Sequence, residues 1–153
     1  MIRFAEQRDL PAIYSLWETC FPDEGGFNDY FFAHFYKEKY TLLYLEGETL
    51  VAMVQMLPYR MTAGGLSREV TYIYGACTDP AHRRKGYMAR LLERSFELDR
   101  EAGRIASVLI PAEKWLFDFY KPFGYEPFFH NSRREITCTA GEREAPRRLT
   151  SAD

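Results

Sequence analysis

Residues 70–110 read as strand, helix, strand, and that order constrains the fold more than any other feature of the chain. Residues 70–78 are rich in β-branched and aromatic side chains and are closed by Asp79-Pro80, because proline supplies no donor to a sheet ladder. Met88, Leu91, Leu92 and Phe96 then recur at helical spacing, with Arg90, Glu93, Arg94, Glu97 and Arg100 largely opposite them. This is the pattern of an amphipathic helix over 88–101. Ala102-Gly103 stops it, and 105–110 is an apolar run of the right length for a buried strand, closed by Pro111. Strands joined through a helix lie parallel, with a right-handed crossover. The chain is therefore expected to contain one parallel junction, between the strands at 68–78 and 105–110.

The remaining segments point to antiparallel neighbours around that unit. Residues 2–5 read as a short strand, followed by a helix with Asp9 as N-cap and Pro11 in its first turn. Leu10, Ile13, Tyr14, Trp17 and Phe21 share a face of that helix, which ends before Pro22. Asp23-Glu24-Gly25-Gly26 forms a loop, and 27–39 reads as a second helix with an aromatic side of Phe27, Tyr30, Phe31, His34 and Phe35. Residues 40–45 and 49–59 are strands joined by the hairpin signal Glu46-Gly47-Glu48, with Leu50, Ala52, Val54 and Met56 in alternation. Ala63-Gly64-Gly65 turns the chain into the central strand. A helix carrying Tyr120 follows Pro111, and 125–129 with 134–139 reads as a last antiparallel pair. The expected class is α/β of the α+β type, a mixed and mostly antiparallel sheet flanked by helices. Residues 1–139 form the domain, and 140–153 are a charged tail or truncated linker.

Composition narrows the function. With 153 residues the chain is one domain's worth, and 46% hydrophobic with 27% charged residues is ordinary for a water-soluble domain. A formal net charge of −2 argues against a nucleic-acid binder. No window of about 18 apolar residues exists to span a membrane, and the N-terminus does not read as a leader. Cys20, Cys77 and Cys138 are odd in number and widely spaced, so no disulfide framework is expected and a reducing cytoplasm is the expected compartment. His34, His82 and His130 are far apart and no Cys or His pair has zinc spacing, so no metal is expected. A Walker-type phosphate loop is absent.

The cations that are present are concentrated. His82-Arg83-Arg84-Lys85 stands where the helix at 88–101 begins, and there the free N–H groups and the macrodipole already make the field positive. Each cation in that place costs about 0.3–1 kcal/mol relative to an acid. Gly86 adds a position where backbone can approach a ligand or take positive φ. Together these suit a bound phosphate or pyrophosphate, as against a solvated basic turn.

Arg83-Arg84-Lys85-Gly86-Tyr87-Met88, after a strand ending Thr78-Asp79-Pro80, resembles the Arg/Gln-x-x-Gly-x-Gly/Ala pyrophosphate loop of the GNAT family of acyl-CoA-dependent N-acetyltransferases. Met88 departs from it, since the family usually has Gly or Ala there. A second element, Tyr120-Lys121-Pro122-Phe123-Gly124-Tyr125, is similar to the family's late helix and turn, although Glu113 and Leu116 replace the asparagine and alanine often found earlier in that helix. The two motifs together are similar, more weakly, to the first domain of the enhanced-intracellular-survival aminoglycoside acetyltransferases, whose members continue into further domains.

The resemblance implies transfer of an acetyl group from acetyl-CoA, as co-substrate, to a primary amine by direct attack. It places Ala76, Cys77, Thr78, Arg83, Arg84, Lys85, Gly86, Tyr87 and Met88 at the coenzyme, and Tyr120 as proton donor to the departing sulfur. The splayed edge of the central strand would meet the pantetheine arm, with a backbone N–H near 75–78 facing the oxyanion. Glu69, Asp79, Glu113 or a held water are the candidate bases. Asp23, Glu24, Tyr30 and Phe31 are candidates to receive a cationic amine. The alternatives are a catalytically silent acyl-CoA-binding module, which the Met88 departure favours, and a basic-patch adaptor built on Arg83 to Lys85. The acceptor and the oligomeric state stay open, a homodimer included.

Overall fold

The computed structural model describes residues 1–23 and 25–128. Among these residues one sheet runs in the spatial order β1 (Ile2–Phe4), β2 (Thr41–Glu46), β3 (Thr49–Ala63), β4 (Leu66–Thr78), β5 (Ser107–Val108). The first three pairings are antiparallel. The β4–β5 pairing is parallel, with Thr71 opposite Ser107 and Tyr72 opposite Val108, as the strand–helix–strand reading requires. Helices α1 (Leu10–Cys20) and α2 (Phe27–His34) cover one face, and α3 (Tyr87–Glu101) covers the other, with α4 (Trp115–Tyr120) adding Leu116, Phe119 and Tyr120 to that second core.

Each face has its own core because β3 and β4 alternate. Ile13, Leu16 and Trp17 of α1 and Phe31 of α2 pack with Leu43 and Met53 on one side. Leu91 and Leu92 of α3, both fully buried, pack with Val54, Met56 and Ile73 on the other. Burial of each leucine contributes about 2 kcal/mol. Helices α1 and α2 are tied by a buried hydrogen bond, Trp17 Nε1 donating to Asn28 Oδ1 at 2.8 Å, while Asn28 Nδ2 donates to the Phe21 carbonyl.

Several boundaries differ from those read in the sequence, each for a local reason. Asp9 is not a side-chain cap for α1: its carboxylate takes two bonds from Arg3, at 2.6 and 2.8 Å, and one from the Glu6 N–H. Helix α2 stops at His34, five residues short of the expected end. Both the Phe35 and Tyr36 N–H groups bond to the Phe31 carbonyl, and Tyr36 leaves the helix to bury its ring against Phe32. The β3–β4 hairpin reaches its turn at Gly64-Gly65, so β3 extends beyond residue 59. Strand β5 keeps only two residues of the apolar run, leaving Ile105 and Ile110 exposed. Residues 125–128 are in no strand, and their expected partner at 134–139, with the tail at 140–153, lies outside the described residues.

An unexpected polar cluster pins the parallel junction. Asp99 of α3 is buried, and its Oδ1 accepts from Thr71 Oγ1 at 2.6 Å and from Arg104 at 3.1 Å. Thr71 is fully buried at the point where β5 joins β4. A charged helix residue thus holds α3 against the base of the junction, above which the two strands part.

Candidate active site

Strand β4 remains paired to β3 as far as Thr78, opposite Ala52, but β5 accompanies it only to Tyr72. From Ile73 to Thr78 the edge of β4 that faced β5 has no ladder partner among the described residues. Unpaired main-chain donors and acceptors along such an edge are set for an extended amide-bearing ligand. The edge is also kinked. Met53 pairs with Cys77 and Gln55 with Tyr74, so Gly75 and Ala76 together stand opposite Val54 as a bulge.

Only glycine fits at 75. Its φ is +54°, and a Cβ there would lie 2.2 Å from Cζ3 of Trp17. The α1 indole therefore presses directly on the bulge, a contact that the helix periodicity signalled only as a core tryptophan. Ala76 is half-buried on the α3 face, Cys77 is buried on the α1 face, and the Thr78 carbonyl accepts from Arg83 Nε at 3.3 Å and from Cys20 Sγ at 3.6 Å.

Cys20, at the end of α1, was not singled out in the sequence because 57 positions separate it from Cys77, yet the two thiols meet beneath the bulge. Hydrogen bonding from Cys77 and then the Arg83 guanidinium lower the Cys20 thiol to about 7. The Cys77 thiol goes the other way, raised by donating to Cys20 and by burial.

Beyond Thr78, Asp79 Oδ1 accepts from the Ala81 N–H at 2.7 Å and starts a short 3-10 turn. Arg83, Arg84, Lys85 and Gly86 follow, all exposed, and α3 begins at Tyr87. Arg84 has φ +62° and Gly86 +79°, so two left-handed residues bracket Lys85. For an arginine that conformation costs about 1 kcal/mol. The first turn of α3 contains no acid, and its leading N–H groups have no intrahelical partner. Arg84 makes no hydrogen bond or ion pair among the described residues, and Lys85 lies 3.9 Å from Glu46. A strained basic loop opening on free helix amides has the chemistry that suits an anion.

Two of the expected coenzyme residues contribute differently from the rest. The Tyr87 ring is buried against Tyr44 and its hydroxyl donates to Glu46 at 2.6 Å, so only its main chain faces the loop. The Glu46 carboxylate is held below its ordinary range by that bond, then by Lys85 and His82. Met88 packs its side chain inward against the α3 core, which leaves the helix start uncovered despite its size.

Tyr120 ends α4 with its ring buried against Phe119 and Tyr125. It borders a cavity of about 790 Å³ whose wall includes Val108, the last residue of β5 paired with β4, and Leu109 and Ile110 just beyond it. Burial raises its phenol above the ordinary value and keeps it protonated, and its hydroxyl makes no hydrogen bond among the described residues. The candidate bases are not assembled there. Asp79 is held low by the Ala81 N–H and then His82, Glu69 is exposed and lies 3.9 Å from Arg60, and Glu113 is exposed and accepts from Trp115 Nε1. Asp23 closes its own loop, accepting from the N–H groups of Gly25 and Asn28, and Phe31 is buried on Trp17. Tyr30 is exposed on α2.

A mixed sheet with a parting parallel pair, followed by a basic loop at a helix start, defines an acyltransferase-type fold. The sequence model of the acetyltransferase (GNAT) domain matches residues 1–128, and the chain belongs to that family. Solved structures agree on the fold. A putative acetyltransferase from Agrobacterium tumefaciens is 18% identical with a TM-score of 0.69, over 89% of this chain and 99% of that one. An aminoglycoside 6'-N-acetyltransferase from Acinetobacter haemolyticus is 17% identical with a TM-score of 0.70, over 91% and 99%. Eis1 from Mycobacterium abscessus is 19% identical with a TM-score of 0.68, over 82% of this chain but 30% of its own. The chain likewise spans 30% of a GCN5-related N-acetyltransferase from Anabaena variabilis. No curated protein sequence matches. No helix among the described residues is long and apolar enough to cross a membrane.

Proposed function

We propose that this acyltransferase domain, residues 1–139 with 140–153 as a charged tail or linker, transfers an acetyl group from acetyl-CoA to a primary amine in the cytoplasm. The observation that carries the reading is continuity. The released edge of β4 runs directly into the loop whose cations and free helix amides suit a diphosphate, so one extended ligand can take both.

Acetyl-CoA supplies the reacting thioester: the amine nitrogen bonds to its carbonyl carbon, the carbon–sulfur bond breaks, and the amine loses a proton. Arg83, Arg84 and Lys85 with the N–H groups of Gly86, Tyr87 and Met88 hold the diphosphate. The main chain of Ala76, Cys77 and Thr78 aligns the arm, and an N–H at the bulge faces the developing oxyanion. Tyr120, protonated and with no hydrogen bond to its hydroxyl among the described residues, donates to the leaving sulfur. With Glu69, Asp79 and Glu113 each engaged or exposed elsewhere, the amine proton leaves through a water held by main chain.

The test is acetyl transfer followed by mass spectrometry against a mixed amine library. Tyr120→Phe is expected to lower kcat about 10²–10⁴-fold with little change in coenzyme affinity. Unaltered turnover in that variant would remove Tyr120 from the reaction. Gly86→Leu should weaken coenzyme binding without unfolding the domain, because a side chain at φ +79° distorts the loop. Binding with no transfer to any amine would instead support a silent acyl-CoA module.

A further inference from the structure

The α1 and α2 helices cover only part of their face of the sheet. Beyond them, on β3 and β4, lies a row of aromatic rings. Tyr74 contacts Trp17 at 5.7 Å and Phe31 at 5.3 Å between centroids, Tyr72 follows at 5.8 Å from Tyr74, and Tyr59 follows at 5.3 Å from Tyr72. The row grows more open along its length: Trp17 is buried, Tyr74 and Tyr72 are half-buried, and Tyr59 is 56% exposed. None of the three tyrosine hydroxyls makes a hydrogen bond among the described residues.

The position of this row is informative. Tyr74 stands on the released stretch of β4 just before the bulge at Gly75, Tyr72 is the last residue still paired with β5, and Tyr59 lies beside them on β3 opposite Val70, so the row leads up to the released edge from the paired end of the strand. An acceptor reaching a thioester at that edge from this face must cross them. Strand alternation places Gln55, Leu57, Tyr59 and Met61 of β3 beside Arg68, Val70, Tyr72 and Tyr74 of β4, a set with no carboxylate. Among the described residues of this row a polyamine or aminoglycoside would find no counter-charge, whereas a flat unsaturated body would find faces to stack on and a protonated amine would find π-systems on its way in.

We infer that the acceptor is a primary amine borne on an aromatic body, which lies along Tyr59 and Tyr72 with its nitrogen directed past Tyr74 to the bulge. This rests on the acyl transfer proposed above. It makes Tyr59 and Tyr72 residues that set specificity and leaves the chemistry to the bulge and Tyr120.

The test compares phenethylamine, its saturated analogue cyclohexylethylamine, and spermidine as acceptors of the full chain with acetyl-CoA. Phenethylamine is expected to exceed the saturated analogue about fivefold in kcat/KM and spermidine about tenfold. Tyr59→Ala should raise the phenethylamine KM about fivefold with kcat unchanged. Tyr59→Phe, which keeps the ring, should retain the wild-type KM. Equal kcat/KM for the three amines, or an unchanged KM in Tyr59→Ala, overturns the inference. Phenethylamine binding is also followed by NMR without acetyl-CoA. Saturable binding that weakens in Tyr59→Ala, with no transfer to any amine, would overturn the acyl-transfer reading and leave the aromatic acceptor row standing. Transfer to spermidine with no binding of phenethylamine would do the reverse.

Discussion

At the scale of single residues, two positions are held so tightly that their substitution should be visible in stability alone. Gly75→Ala sets a Cβ against the Trp17 ring at a positive φ, and neither the indole nor the kinked strand has room to give. It should cost about 2 kcal/mol or more, read as a lowered urea midpoint, and a midpoint equal to wild type would mean that the bulge is not pressed by α1. The second is Asp9, whose carboxyl is pulled down to about 2, first by its hydrogen bonds from Arg3. A carboxyl depressed on folding stabilises the fold above its unfolded value near 4, and that contribution is lost as pH falls through the folded value. Asp9→Asn should therefore cost about 1–2 kcal/mol at pH 7, with the gap to wild type closing between pH 4 and pH 2. A gap that persists at pH 2 would contradict the assignment.

At the scale of elements, the parallel junction was legible because its cause is local: an apolar strand, an amphipathic helix and a second apolar strand leave one connection. Strand ends and helix ends were less so. Tyr36 leaves α2 because its ring gains more in the core than on the helix, a tertiary effect that spacing does not encode. Asp99 was hidden for a related reason. It stands three residues after Phe96, where its charge reads as a break in the apolar face of α3, and only the fold brings Thr71 and Arg104 to it. Thr71→Val, nearly the same shape, should destabilise the domain by about 1.5–3 kcal/mol, since it takes a donor from a buried carboxylate. Denaturant titration giving a change below about 0.5 kcal/mol would show that α3 is not pinned there.

At the scale of the whole molecule, the candidate site was half legible. Arg83 to Gly86 carried their own signal, since cations at a helix start are unfavourable without an anion. The bulge, the contact of Trp17 with Gly75, the meeting of Cys20 with Cys77 and the row Tyr74, Tyr72, Tyr59 join segments far apart in the chain, and no spacing reports them. The inward turn of Met88 likewise needed the structure: in sequence it is a departure from the family loop, in the fold it is a core residue that leaves the helix start open. The chain spans 30% of Eis1 and 99% of the Acinetobacter enzyme. The acyl-transferring fold is thus found both as a whole protein and as part of a longer one.

The account depends on the basic loop holding a diphosphate, and Arg84 isolates that claim because it sits in a left-handed conformation that favours glycine. Calorimetric titration of coenzyme A into wild type and Arg84→Gly measures it directly. The wild type should saturate with one coenzyme per chain, and Arg84→Gly should bind about five- to tenfold more weakly while remaining at least as stable, strain having been exchanged for lost charge. Wild-type affinity in Arg84→Gly, or no saturable binding in the wild type, would contradict it.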